Sequence, residues 1–186
     1  MTRPAPTSIE TVRISETLGA AEGEAVAAAL ADWTGRNGTR RLWSRDKTLW
    51  TGADEDRWLG WLDIADREAR DLDRLTALAR AAASYPDVVL IGMGGSSLGP
   101  DVIAQSFGPQ PGRPRFHMLD STDPDQIATL EGALDLARTL FIVSSKSGTT
   151  LEPNILKDYF FARVGAGAGK QFVAVTDPGS AMEREA

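Results

Sequence analysis

The rhythm of apolar positions changes near Tyr85-Pro86. Upstream, no apolar run reads as a buried strand, and hydrophobic residues recur at helical spacings. Glu22 to Trp33 is rich in Ala, Glu and Leu, all good helix formers. Arg36-Asn37-Gly38-Thr39 breaks this stretch, because Asn-Gly favours a turn. A second helical stretch covers about Asp54 to Ala83, with room for a kink or interruption. Within it Trp58, Leu59, Leu62 and Ala65, then Leu72, Leu75 and Leu78, fall on helical faces. Tyr85-Pro86 stops it, since proline disfavours helix in the residue before it.

Downstream, short apolar runs alternate with helical patterns. Val88–Ile91, Phe116–Leu119, Leu140–Val143 and Phe172–Val175 read as strands apolar on both sides, as interior parallel strands are. Helices are predicted from Leu98 to Phe107, after Asp123-Pro124 (an N-cap followed by proline), from Leu151 to Val164, and after Asp177-Pro178-Gly179-Ser180. This alternation predicts an α/β fold, a parallel sheet with helices on both faces, preceded by a helical N-terminal segment. The expected division is a helical segment over 1–85 and a sheet domain over 86–186. The chain stops at Ala186 inside the first turns of a helix, so the domain reads as incomplete and the sequence as truncated.

Composition narrows the function. The 186 residues are enough for one sizeable core, and 42% hydrophobic with 25% charged residues is ordinary globular composition. With no cysteine, disulfides and thiolate metal sites are excluded, which fits a reducing compartment. A net charge of −6 argues against broad contact with nucleic acid, although a local group of donors can still hold a small anion. No stretch approaches the roughly 20 apolar residues that span a bilayer, and Met1-Thr2-Arg3-Pro4-Ala5-Pro6 lacks the apolar core of a secretory signal. The expected location is the cytoplasm, without a membrane partner.

Two loops at strand ends carry the candidate chemistry, because open α/β sheets collect ligands outside the carboxyl ends of their strands. Gly92-Met93-Gly94-Gly95-Ser96-Ser97-Leu98-Gly99 joins the first strand to its helix, and its glycines let backbone N–H groups approach an anion. A tight turn that binds nothing would look similar. A dinucleotide site would need glycine where the G-x-G-x-x-G frame places Ser97. Ser144-Ser145-Lys146-Ser147-Gly148-Thr149-Thr150 follows the third strand, and six of its seven residues offer a hydroxyl or an ammonium. Such a bowl at a helix N-terminus suits a phosphate dianion. Helix capping by Thr149 or Thr150 would need only one of those hydroxyls.

The other candidates are weaker. His117, the only histidine, lies inside a strand and reads as structural. Glu152 is either a first-turn charge favoured by the helix dipole or a group facing the ligand. Asp63, Asp66, Glu68, Asp71 and Asp73 read as a solvated helix face. No His/Asp/Glu grouping has metal-ligand spacing, so no metal site is expected.

Ile91-Gly-Met-Gly-Gly-Ser-Ser-Leu-Gly-Pro100 resembles the first signature of glucose-6-phosphate isomerases, and Ser145-Lys-Ser-Gly-Thr-Thr150 with Leu151-Glu152 resembles their phosphate-binding signature. Asp120-Ser-Thr-Asp-Pro124 and Val175-Thr-Asp-Pro178 fall where that family has similar turns. Leu42-Trp43-Ser44-Arg45-Asp46 to Trp50-Thr51, with Leu59-Gly60-Trp61-Leu62, is similar to the lead-in of bacterial members, among them forms fused to a transaldolase. The resemblance covers about residues 40 to 186. It implies the sugar isomerase (SIS) fold, a five-stranded parallel sheet of which four strands are present here.

By that resemblance, Ser145, Ser147 and Thr150 hold a sugar phosphate, helped by Lys146, Gly148 and Thr149, while Gly95 and Ser96 lie along the sugar. The activity it implies is interconversion of glucose 6-phosphate and fructose 6-phosphate through an enediol, without metal or organic cofactor, in a homodimer. The family's glutamate base, ring-opening histidine and arginine lie on later segments, so no catalytic residue is expected in this chain, which alone should be inactive. Two other classes fit parts of the pattern. A stand-alone single-SIS phosphosugar isomerase would need a fifth strand, and a phosphosugar-sensing domain of a regulator would need a helix-turn-helix reader and a basic face.

Overall fold

A computed structural model describes residues 17–186 of the chain. The N-terminal residues read above for a secretory signal lie outside the described residues. The chain separates into two compact units, Met1–Arg70 and Asp71–Ala186.

The described part of the first unit is helical. α1 spans Ala20–Gly35 and α2 spans Gly38–Trp43, with Asn37 between them in the left-handed region at φ 54°. Short 3-10 turns follow at Lys47–Leu49 and Glu55–Trp58, then α3 at Ile64–Arg70. Leu49 and Leu59 are its buried apolar side chains, whereas Trp43, Trp50, Trp58 and Trp61 are exposed.

The helical stretch expected from Asp54 to Ala83 is thus three pieces, the last being α4 at Leu72–Ala82 in the second unit. Gly60 and Asp71 sit at the breaks, and neither residue type favours a helix interior.

The second unit is a four-stranded sheet of β1 (Asp87–Gly92), β2 (Arg115–Leu119), β3 (Thr139–Ser144) and β4 (Phe172–Val175), in the order β2-β1-β3-β4 and parallel throughout. Between strands lie α5 (Gly95–Phe107), α6 (Pro124–Gly132) and α7 (Leu151–Val164), and α8 (Ala181–Glu185) follows β4. From β1 the chain crosses outward to β2, then returns past β1 to build β3 and β4 on the other side. Right-handed crossovers in opposite directions place α5 on one face, and α6 and α7 on the other.

Strand alternation fixes which side chains each face receives. Val89, Ile91, Leu119, Phe141 and Val143 pack against Leu156 and Phe160 of α7 and Met182 of α8, with Ile127 and Leu130 of α6 at the margin. Phe141 is fully buried, its ring stacked with Phe160 at 5.1 Å and Phe172 at 4.8 Å. Val88, Leu90 and Leu140 are buried on the opposite face, where α5 packs on β1 and β2. The two edge strands are less covered than the sequence suggests. Phe116, Val173 and Val175 belong to this second face and are exposed among the described residues.

One polar group is built into the first face. The Asp87 carboxylate accepts from Arg115 Nε and Nη2, both at 2.9 Å, and from His117 Nε2 at 2.8 Å. The β1–β2 register makes this possible, because it sets Asp87 beside Arg115 and Val89 beside His117.

Candidate functional site

Both donor-rich loops leave the carboxyl end of the sheet. Gly92 and Ser144, the last residues of β1 and β3, are direct cross-strand partners, so the loops start side by side. A Cβ on Gly92 would lie 3.0 Å from the Ser96 carbonyl oxygen and 3.2 Å from that of Ser144, so glycine lets the chain fold back closely at this point. Strand order reverses between β1 and β3, which makes this crevice the switch point at which open parallel sheets bind ligands.

In the first loop, Gly94 turns the chain at φ 56° and α5 begins at Gly95, three residues before the expected Leu98. The Ser97 hydroxyl explains the early start, because it donates to the Gly94 carbonyl at 3.0 Å and is fully buried doing so. Ser97 is therefore structural. Gly95 is exposed and Ser96 half-buried, both in the first turn of α5.

In the second loop, Ser144 and Ser145 are buried, Lys146, Ser147 and Thr149 are exposed, and Thr150 is half-buried. Ser145 Oγ donates to Thr150 Oγ1 at 3.1 Å, Ser147 Oγ lies 2.9 Å from Thr149 Oγ1, and the Thr149 amide donates to Ser147 Oγ at 3.2 Å. Neither threonine caps α7 through its side chain. Thr150 is the N-cap by backbone position alone. Asn154 instead donates its side-chain amide to the carbonyls of Gly148, at 3.1 Å, and Thr150, at 2.8 Å. The helix-capping account of these hydroxyls is thereby removed. Glu152 is half-buried in the first turn of α7, in sequence immediately beyond the loop.

The end of β4 and the turn after it brace this loop from beside it. The Ser145 amide donates to the Val175 carbonyl at 3.0 Å, and the Asp177 amide to the Lys146 carbonyl at 3.1 Å. Gly148, at φ 69°, lies against α8 so closely that a Cβ would come within 2.7 Å of the Met182 nitrogen. The sequence marked Ser180 as a helix start and Thr176 as part of a turn, but not their contacts with this loop, and it did not mark Asn154. Thr176 stands directly beyond the end of β4, the place where the other polar residues were sought, so position could have marked it.

His117 lies toward the amino-terminal half of the sheet, on Asp87 and away from both loops. Among the described residues, no three His, Asp or Glu side chains are grouped to hold a metal ion, and no helix is long and apolar enough to cross a membrane.

The architecture defines a class, the open parallel α/β domain whose ligand position is the switch-point crevice between two strand-end loops. Within it, the sequence profile of the phosphoglucose isomerase family matches residues 77–182. The chain belongs to that family. It is 36% identical over 148 residues to the glucose-6-phosphate isomerase of Chlamydia muridarum, covering 77% of this chain and 27% of that protein. It is 34% identical over 116 residues to the enzyme of that name from Synechococcus sp. strain JA-3-3Ab, covering 60% of this chain and 22% of the relative. The crystal structure of a glucose-6-phosphate isomerase from Chlamydia trachomatis superposes with a TM-score of 0.58 at 35% identity, over 76% of this chain and 27% of that one. A hypothetical protein from Thermus thermophilus gives 0.65 at 30% identity, over 86% and 38%. The chain thus spans between a fifth and two fifths of the length of these relatives.

Proposed function

We propose that this chain forms the phosphosugar-binding part of an aldose–ketose isomerase that interconverts glucose 6-phosphate and fructose 6-phosphate, in glycolysis and gluconeogenesis. The observation that carries this reading is the pairing of Gly92 with Ser144, which starts both loops together at the switch point of a chain in this family. The hydroxyls of Ser145, Ser147 and Thr150 hold the phosphate, with Lys146 and Thr149 or their backbone assisting and Gly148 shaping the loop. Gly95 and Ser96 lie along the sugar. The domain that does this spans 86–186.

Proton transfer between C2 and C1 needs a base within about 3 Å of both carbons. By family resemblance, the base and the ring-opening histidine belong to segments beyond those present here. The contribution of these residues is register: a phosphate fixed at C6 places the carbon chain where such a base acts. The chemistry runs without metal or organic cofactor, in a cytoplasmic homodimer that contacts neither nucleic acid nor membrane.

Titration of the 186-residue chain with fructose 6-phosphate, followed through backbone amide resonances, tests the reading. Shifts should concentrate on Gly94–Ser97 and Ser145–Thr150. Ser147→Asp, which sets a carboxylate against the phosphate, should weaken binding at least tenfold, whereas equal affinity for both proteins would overturn the assignment.

A further inference from the structure

We propose that Thr176 is a positioning residue for the phosphate loop, acting through the Lys146 carbonyl on the direction of the Ser147 amide. This inference rests on the phosphate reading of that loop. A phosphate-binding loop works by holding dipoles in place before the ligand arrives, so whatever fixes its peptide planes contributes to affinity without touching the ligand.

The Lys146–Ser147 peptide plane is held through its carbonyl. Its carbonyl accepts from the Asp177 amide at 3.1 Å and from Thr176 Oγ1 at 3.3 Å, both belonging to the turn after β4. In a planar trans peptide the N–H points opposite to the C=O. Two donors drawing the Lys146 oxygen toward the β4–α8 turn therefore aim the Ser147 N–H away from that turn.

Thr176 is itself fixed. Its hydroxyl proton is shared between the Lys146 carbonyl and Ser180 Oγ, to which Oγ1 donates at 2.8 Å, and Ser180 Oγ accepts from the Glu183 amide at 3.0 Å as the cap of α8. The chain of contacts runs from the α8 cap through two hydroxyls to the Lys146 carbonyl. Gly148 closes the arrangement from beyond, since its α-carbon packs where a side chain would meet Met182 and Ser180. Thr176 is half-buried.

The test compares Thr176→Val and Thr176→Ser with the unmodified 186-residue chain, titrating each with inorganic phosphate and with fructose 6-phosphate. Loss of one neutral hydrogen bond predicts about fivefold weaker binding of both ligands by the valine variant, with the Ser147 amide resonance displaced in the free protein. Thr176→Ser, which keeps the hydroxyl, should restore affinity to within about twofold. The Ser147 resonance separates positioning from general destabilisation, which would lower the melting temperature without moving it.

If the valine variant fails to fold, Thr176→Ala removes the same hydroxyl without a methyl against Lys146 and decides the matter. Binding within twofold of the unmodified chain, with Ser147 unmoved, overturns the proposal while leaving the phosphate reading intact. If the unmodified chain and Ser147→Asp bind phosphate equally, or neither binds, the phosphate reading falls and this inference with it.

Discussion

Replacing Asp87 with asparagine probes how the edge strand β2 is held. The Asp87 side chain is 2% exposed and receives three hydrogen bonds, two from Arg115 and one from His117. Charge-assisted bonds contribute about 1.5–3 kcal/mol each in favourable settings. Arg115 is 69% exposed, so solvent screens its share. An asparagine retains one acceptor but turns a second donor toward the guanidinium, and we expect a net loss of about 2–3 kcal/mol. That corresponds to a melting temperature lower by roughly 10 °C for a unit of this size.

The pH dependence follows from the carboxyl group. Burial alone would push it up, but the hydrogen bonds and charges of Arg115 and His117 outweigh burial and hold it below the ordinary carboxylate value. A depressed folded value stabilises the protein fully above the unfolded pKa of about 4 and ceases to do so as pH falls through the lower folded value. Urea unfolding of the unmodified chain and Asp87→Asn should therefore differ near neutral pH, and the difference should shrink as pH falls below the ordinary carboxylate value of about 4. Equal stability near neutrality, or a gap that persists unchanged in acid, would refute the reasoning.

Two further outcomes are expected. Gly148→Ala combines a positive φ with an overlap against the Met182 backbone, and should cost about 3 kcal/mol in urea unfolding; a loss below about 0.5 kcal/mol would mean that the loop and α8 separate freely. Residues 1–186 expressed alone should give no glucose 6-phosphate from fructose 6-phosphate in a coupled assay, and turnover above a Ser147→Asp control would place a base within this chain.

The strands were legible because Val88–Ile91 and Leu140–Val143 are unbroken apolar runs, and each extends by one residue at either end in the structure. The loops were legible because glycine and hydroxyl residues are dense directly after those runs. The start of α5 was hidden by Gly95-Ser96-Ser97, poor helix formers whose place is secured by the buried Ser97 hydroxyl. Contacts that depend on strand register could not be read. Asp87 and Arg115 are 28 residues apart in sequence, and only pairing of β1 with β2 brings them together. The bracing of Lys146 by Thr176 and Asp177 likewise exists only once β4 lies beside β3.

The pairing of Gly92 with Ser144 also has a kinetic consequence. Strands β1 and β3 are neighbours in space but are separated along the chain by all of α5, β2 and α6. No local segment can assemble the crevice, and a partly folded chain in which β1 has met only β2 possesses one loop without the other. Closing so distant a contact is slow relative to forming helices or turns. The crevice is therefore completed late, as a property of the finished sheet. If the crevice holds a phosphosugar as proposed, that ligand present during refolding should leave the early steps untouched and slow unfolding, since it would bind the native arrangement and nothing that precedes it.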